Sequence, residues 1–175
     1  MRKEQYQVPQ VEFVFRENSE FVARTTSDLF DGKRVVIFSL PGAFTPTCSA
    51  YQLPGFEDKY DEFTFLGIDS IYCISVNDGF VMNAWAKDQG IEKVSLIPDG
   101  NAHFTRAMGY LVRKSNLGFG ERSWRYAAVV NDRIIEKLFV EEGMRDNADT
   151  DPYEVSTPEA VLEYVKSTVR EMAPV

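Results

Sequence analysis

Two nearly continuous apolar runs, Val35-Val36-Ile37-Phe38-Ser39-Leu40 and Ile71-Tyr72-Cys73-Ile74-Ser75-Val76, dominate the first half of the chain. Short runs with so few polar positions read as central strands covered by helices on both faces of a sheet. The first strand should end at Pro41. A helix should then begin near Thr47 and be broken by Pro54, whose ring removes a backbone bond. After the second strand, Asp78 is placed to cap a helix running through Phe80, Val81, Ala84 and Trp85, with Gly90 as its stop.

Further along, Ser95-Leu96-Ile97-Pro98 predicts a short strand before the turn Asp99-Gly100, and Ala102 to Met108 a brief helix ending at Gly109. The runs Tyr126–Val130 and Ile134–Val140 flank Asn131-Asp132-Arg133 and predict an antiparallel hairpin, so the sheet is mixed. Ser156-Thr157-Pro158-Glu159 is a capping signal for a last helix whose Val161, Leu162, Val165 and Val169 recur at helical spacing. Apolar runs alternating with helical segments define an α/β fold, a central mixed sheet flanked by helices. No repeat, low-complexity stretch or Pro/Gly/Ser linker divides the chain, so residues 1–175 are expected to form one domain.

The 175 residues are 44% hydrophobic, enough for one continuous core. Lys and Arg number 19 against 27 Asp and Glu, a net charge of −8 spread without long runs, which argues against a nucleic-acid or anionic-membrane partner. Charged and amide residues occupy positions 2–7, where a secretory signal would carry its apolar core, and no apolar run reaches spanning length. The expected location is the cytoplasm. The 2 cysteines, Cys48 and Cys73, are too few for a disulfide scaffold, so each is filler, metal ligand or reactive thiol.

Chemistry concentrates in Pro41-Gly42-Ala43-Phe44-Thr45-Pro46-Thr47-Cys48. A thiol attacks as its thiolate, and a helix N-terminus offers partial positive charge and unpaired N–H groups that stabilise one. The Thr45 hydroxyl is able to donate to the sulfur while accepting from a peroxide, and Pro41 and Pro46 hold the loop in a fixed shape. A lone cysteine at a helix start is ordinarily a small packed hydrophobe. Here the surrounding motif outweighs that reading.

The run Pro41-x-x-x-Thr45-x-x-Cys48 resembles the peroxiredoxin active-site signature, and Pro41 to Cys48 as a whole resembles the peroxiredoxin-5 (type II, atypical) branch. The likeness extends through Ser75-Val76-Asn77-Asp78, Pro98-Asp99-Gly100, Gly118-Phe119-Gly120 and Arg122-Ser123-Trp124-Arg125-Tyr126. It is most similar to the peroxiredoxin part of bacterial peroxiredoxin–glutaredoxin hybrids. The resemblance implies a thioredoxin-like fold with an N-terminal extension and a thiol-specific peroxidase that needs no cofactor.

By the same resemblance Cys48 is the peroxidatic cysteine, Thr45 its hydrogen-bonding partner, Arg125 the cation beside the sulfur and Pro41 a shield over it. Arg125 suits that role physically, because a guanidinium stays charged and offers a rigid fork of donors to a thiolate and to a breaking O–O bond. Backbone N–H groups at Thr47 and Cys48 are expected to bind the peroxide oxygens. Phe44, Leu117 and Phe119 would wall a shallow pocket. Many family members carry glycine where this chain has Thr47.

Cys73, inside a strand, is expected to be apolar filler rather than a resolving cysteine, whose Cα would have to come within about 7 Å of Cys48. The family's atypical two-cysteine members place a resolving cysteine in a late loop, here Glu141 to Tyr153, and that segment contains none. Electrons must then come from outside the chain, through glutathione and glutaredoxin, or alternatively thioredoxin. Family members also associate through the active-site edge, which here implies a homodimer built on Phe44 and the segment Asp78 to Trp85.

Other readings are weaker. His103, the single histidine, has no feature placing it near Cys48, and the cysteines and histidine lie in no metal-ligand spacing. Trp85, Phe104, Trp124 and Tyr126 read as core or interface aromatics. A thiol–disulfide oxidoreductase would want Cys-x-x-Cys, which is absent. A peroxide-sensing module remains the competing class, separated from an enzyme by whether peroxide is consumed catalytically.

Overall fold

The computed structural model describes residues 1–172. Glu12–Glu17 (β1) and Glu20–Thr25 (β2) form an antiparallel hairpin ahead of the main sheet. Its tight turn places Asn18 and Ser19 at φ 50° and 63°, left-handed values that asparagine tolerates better than most residues. Thr26–Phe30 (α1) follows, with Thr25 and Asp28 exchanging hydrogen bonds in a capping box.

The main sheet is mixed, as expected. Arg34–Ser39 (β3) runs parallel to Ser70–Ser75 (β4), which runs parallel to Ser95–Pro98 (β5), and Tyr126–Asn131 (β8) and Ile134–Val140 (β9) complete the other side antiparallel. Its strand order is β5-β4-β3-β8-β9. Leu111–Arg113 (β6) pairs separately with Glu121–Ser123 (β7). The sequence reading did not separate out β1, β2, β6 or β7.

Alternation along the strands divides the core into two layers. Val35, Ile37, Tyr72, Ile74 and Tyr126 face a layer with Phe13, Phe30, Phe104 and Trp124. Val36, Phe38, Cys73, Ala127 and Val129 face the opposite layer, which also contains Cys48. There Phe56 stacks on Phe38 with ring centroids 4.2 Å apart, and each such buried side chain contributes roughly 1.5–3 kcal/mol. Covering both faces is what makes β3 and β4 continuously apolar.

The helices follow their caps. Asp78 Oδ1 accepts from Val81 N at 2.9 Å to start Gly79–Gln89 (α4), and Gly90, at φ 65°, ends it. His103–Met108 (α5) ends at Gly109, and Thr157 Oγ1 accepts from Ala160 N at 3.1 Å to start Pro158–Met172 (α6). The helix after β3 departs from expectation. Pro54 does not break it: Cys48–Gln52 is a π-helical turn leading directly into Leu53–Asp58 (α2), where Pro54 occupies the first turn, and Tyr60–Phe65 (α3) comes next. Proline is tolerated in a first turn because its missing N–H would have had no partner there.

Candidate active site

The loop after β3 brings Cys48 into the first turn of a helix. Ser49 N bonds to Thr45 O at 3.0 Å, and the N–H groups of Thr47 and Cys48 find no acceptor among the described residues. First-turn donors have no intrahelical partner, so both point at whatever occupies the helix end. π-Helical turns recur at functional sites, and this one starts at the cysteine itself. Two contacts fix the turn from outside: Trp85 Nε1 donates to Ser49 Oγ at 3.0 Å, and Asn77 Oδ1 accepts from Ala43 N at 3.0 Å.

Arg125 enters from the start of β8. Its Nη1 lies 3.5 Å from Cys48 Sγ and 2.5 Å from Gln52 Oε1, while Nη2 donates to Asp151 Oδ1 at 2.7 Å. The residue is 1% exposed. Burial works against its charge, yet Cys48 and Asp151 outweigh burial and hold the guanidinium above its ordinary pKa. Arg125 Nε and Gln52 Nε2 are buried donors without an acceptor among the described residues.

Asp151 reaches Arg125 because its loop is gathered by Glu141. That buried carboxylate accepts from Glu154 N at 2.9 Å, Val155 N at 3.0 Å, Ser156 N at 2.7 Å and Ser156 Oγ at 2.6 Å. Sequence reasoning missed Gln52, Asp151 and Glu141. Each acts across a separation of 13 to 73 residues, and no local motif marks them.

Thr45 lies three positions before Cys48, but its hydroxyl donates to Gly42 O at 2.7 Å rather than to the sulfur. The nearby carbonyl takes the single proton, which leaves the oxygen lone pairs as acceptors. Pro41 is buried, and its carbonyl accepts from Arg122 Nη1 at 3.0 Å. Gly42 leaves room for that guanidinium, since a Cβ there would sit 2.1 Å from the same nitrogen and push the arginine aside.

Pro41, Thr45, Pro46, Lys114, Leu117 and Phe119 line a cavity of about 340 Å³, together with residues 148–151. Leu117, although 56% exposed, and Phe119 are both among the residues that line it. Phe44 is not: it is 52% exposed, at φ 64°, and lies outside the cavity.

Cys73 lies on β4 opposite Phe38, fully buried, and both cysteines are free thiols. Burial pushes the Cys73 thiol well above its ordinary pKa and the neighbouring Cys48 adds to that, so Cys73 stays protonated and inert. His103 is exposed on α5. Among the described residues no cluster of three or more His, Cys, Asp or Glu is arranged to hold a metal ion, and no helix is long and apolar enough to cross a membrane.

The Redoxin family profile matches residues 4–154. A peroxiredoxin of Sinorhizobium fredii is 65% identical over 144 residues, covering 82% of this chain and 77% of that protein. A hybrid peroxiredoxin of Haemophilus influenzae is 50% identical over 158 residues, covering 90% of this chain and 64% of the hybrid. Among solved structures, a one-cysteine peroxiredoxin from Plasmodium falciparum superposes with a TM-score of 0.91 at 42% identity, covering 95% of this chain and 99% of that one. A thioredoxin-like α/β fold, the signature around Cys48 and relatives at this identity agree, and the chain belongs to the peroxiredoxin family of thiol-dependent peroxidases, which are oxidoreductases.

Proposed function

We propose that Cys48 reduces hydrogen peroxide and organic hydroperoxides by a one-cysteine cycle recharged by an external thiol. The observation that carries this reading is the approach of Arg125 Nη1 to Cys48 Sγ at 3.5 Å. In the oxidising step the Cys48 thiolate attacks the terminal peroxide oxygen. The O–O bond breaks, an S–O bond forms, and the departing hydroxide or alkoxide takes up a proton to leave as water or alcohol. Arg125 and the N–H groups of Thr47 and Cys48 stabilise the negative charge moving along that axis, while Thr45 Oγ1 accepts the peroxide O–H. Pro41 excludes water from the sulfur, and Leu117 and Phe119 give the approach an apolar lining.

Cys48 is left as a sulfenic acid. With Cys73 held as a buried thiol in the sheet, glutathione condenses with the sulfenic acid, releasing water and leaving a mixed disulfide. Glutaredoxin then takes up the glutathionyl group, a partner suggested by the resemblance to hybrid proteins; thioredoxin is the alternative reductant. Cys48 is fully buried in the closed site, so this half of the cycle needs the π-helical turn to open. Two free thiols suit a reducing compartment such as the cytoplasm, and the chain acts as one domain over residues 1–175.

The same reading includes a homodimer. Phe44 and Phe80 are 52% and 56% exposed, and exposed aromatics of this kind suit an interface core. Trp85 is removed from that surface, because it is fully buried and bonded to Ser49. Sedimentation at micromolar concentration in reducing buffer should give a dimer, and a purely monomeric species would contradict it.

The recycling scheme is tested by mass spectrometry after one equivalent of peroxide in the presence of glutathione. A single glutathione adduct on Cys48, removed by glutaredoxin, is expected. A Cys48–Cys73 disulfide would overturn the one-cysteine cycle.

A further inference from the structure

Lys114 is 3% exposed, yet it lines the cavity beside the active site. Among the described residues its ammonium has no hydrogen-bond acceptor and no ion-pair partner, and it faces the Trp124 ring with its nitrogen 5.7 Å from the ring centroid. The acids of the cavity are engaged elsewhere: Asp151 with Arg125 at 2.7 Å and Asp149 with Arg145 at 2.5 Å. Arg122 donates to the carbonyls of two cavity residues, Phe119 and Pro41, at 3.2 and 3.0 Å. Among the described residues Lys114 is therefore the cation lining this cavity, and no carboxylate is in contact with it, in a chain whose net charge is −8.

A largely buried cation that faces an apolar-walled cavity with no acceptor in contact favours an anion placed beside it. Burial lowers the pKa of Lys114, with the field of Asp151 opposing that shift and Arg125 adding to it, and the side chain shares its cavity with Pro41, Thr45 and Pro46 of the loop that carries Cys48. The walls around it, Pro41, Pro46, Leu117 and Phe119, are apolar, and the two acids of the lining, Asp149 and Asp151, already hold arginines. This combination fits a carboxylate carried on a larger molecule.

Taking Cys48 as the reacting group, as proposed above, we infer that Lys114 anchors the carboxylate of a molecule that reacts at the Cys48 sulfur. Two sources share this chemistry. One is a carboxylated thiol, whose sulfur forms an S–S bond with sulfenic Cys48 as the S–O bond breaks and the oxygen leaves as water. The other is a carboxylated hydroperoxide, whose terminal oxygen passes to the thiolate as the O–O bond breaks and the alkoxide takes up a proton.

The test compares Lys114→Met and Lys114→Arg with the parent chain. Recycling rates are measured with glutathione and with 2-mercaptoethanol, and oxidation rates with linoleic acid hydroperoxide and its methyl ester. In Lys114→Met the charged-to-uncharged rate ratio should fall about tenfold in one of the two pairs, the loss of one charge-assisted hydrogen bond, and Lys114→Arg should restore it. The pair that responds names the source. Ratios unchanged in both pairs, or falling equally in both variants, would overturn the inference. Loss of peroxide consumption in the parent chain with every substrate would instead reject the role of Cys48.

Discussion

The guanidinium of Arg125 stands 3.5 Å from the Cys48 sulfur while its other terminal nitrogen holds Asp151 at 2.7 Å. One cation thus faces the reacting atom and the loop that covers it. The two contacts should contribute unequally, because the Asp151 side chain is 47% exposed and solvent screens the pair. Arg125→Met should lower kcat/KM for hydrogen peroxide by about tenfold to a thousandfold, the usual loss for one electrostatic group. Asp151→Ala should cost far less, and stopped-flow oxidation of the two variants ranks them; an equal loss would mean that Asp151 itself takes part in the chemistry.

Glu141 should matter for stability. Its buried carboxylate accepts hydrogen bonds from three consecutive backbone N–H groups, Glu154 to Ser156, and from the Ser156 hydroxyl. Glu141→Ala strands those donors and should destabilise the fold by about 3 kcal/mol. Urea unfolding measures this, and a loss of under about 1 kcal/mol would contradict the account.

Gly79 opens α4 directly against β1. A Cβ there would lie 2.8 Å from Arg16 N, a backbone atom that cannot swing aside. Gly79→Ala should therefore lower stability by about 1–3 kcal/mol although alanine favours helices. An unchanged melting temperature would show that the N-terminal hairpin can shift.

Alkaline pH should weaken the fold through its buried tyrosines, of which Tyr153 and Tyr164 are two. Burial pushes Tyr153 to about 12, and burial together with its bond to Glu136 does the same for Tyr164. Both pKa values are raised above the unfolded value of 10.0. The unfolded chain then releases these protons first, and stability is lost as pH rises from about 10 to about 12. Tyr164→Phe should flatten that decline in thermal melts taken across this range, and an identical slope in the variant would reject the assignment.

Much of this architecture is legible in the sequence because its signals are local. The apolar runs that become β3 and β4, and the Asp78 cap and Gly90 stop of α4, each act within a few residues. The Pro41–Cys48 string likewise carries Thr45, Thr47 and Cys48 together to one helix start. The misses are of other kinds. Pro54 reads as a breaker only until the π-helical turn ahead of it is known to put it in a first turn. Phe44 reads as a pocket wall, but it is exposed and lies outside the cavity. Thr45 keeps its place while its proton goes to Gly42 O, a choice between two nearby acceptors that composition does not reveal. Gln52, Asp151 and Glu141 arrive through chain reversals that no spacing rule encodes.

Steady-state hydrogen peroxide consumption, with a thiol supplied, by Cys48→Ser beside Cys73→Ser addresses the central claim most directly. Turnover should vanish in Cys48→Ser, whose hydroxyl is a poor nucleophile, and persist in Cys73→Ser, whose parent thiol is buried in β4. Undiminished catalytic turnover in Cys48→Ser would contradict the account.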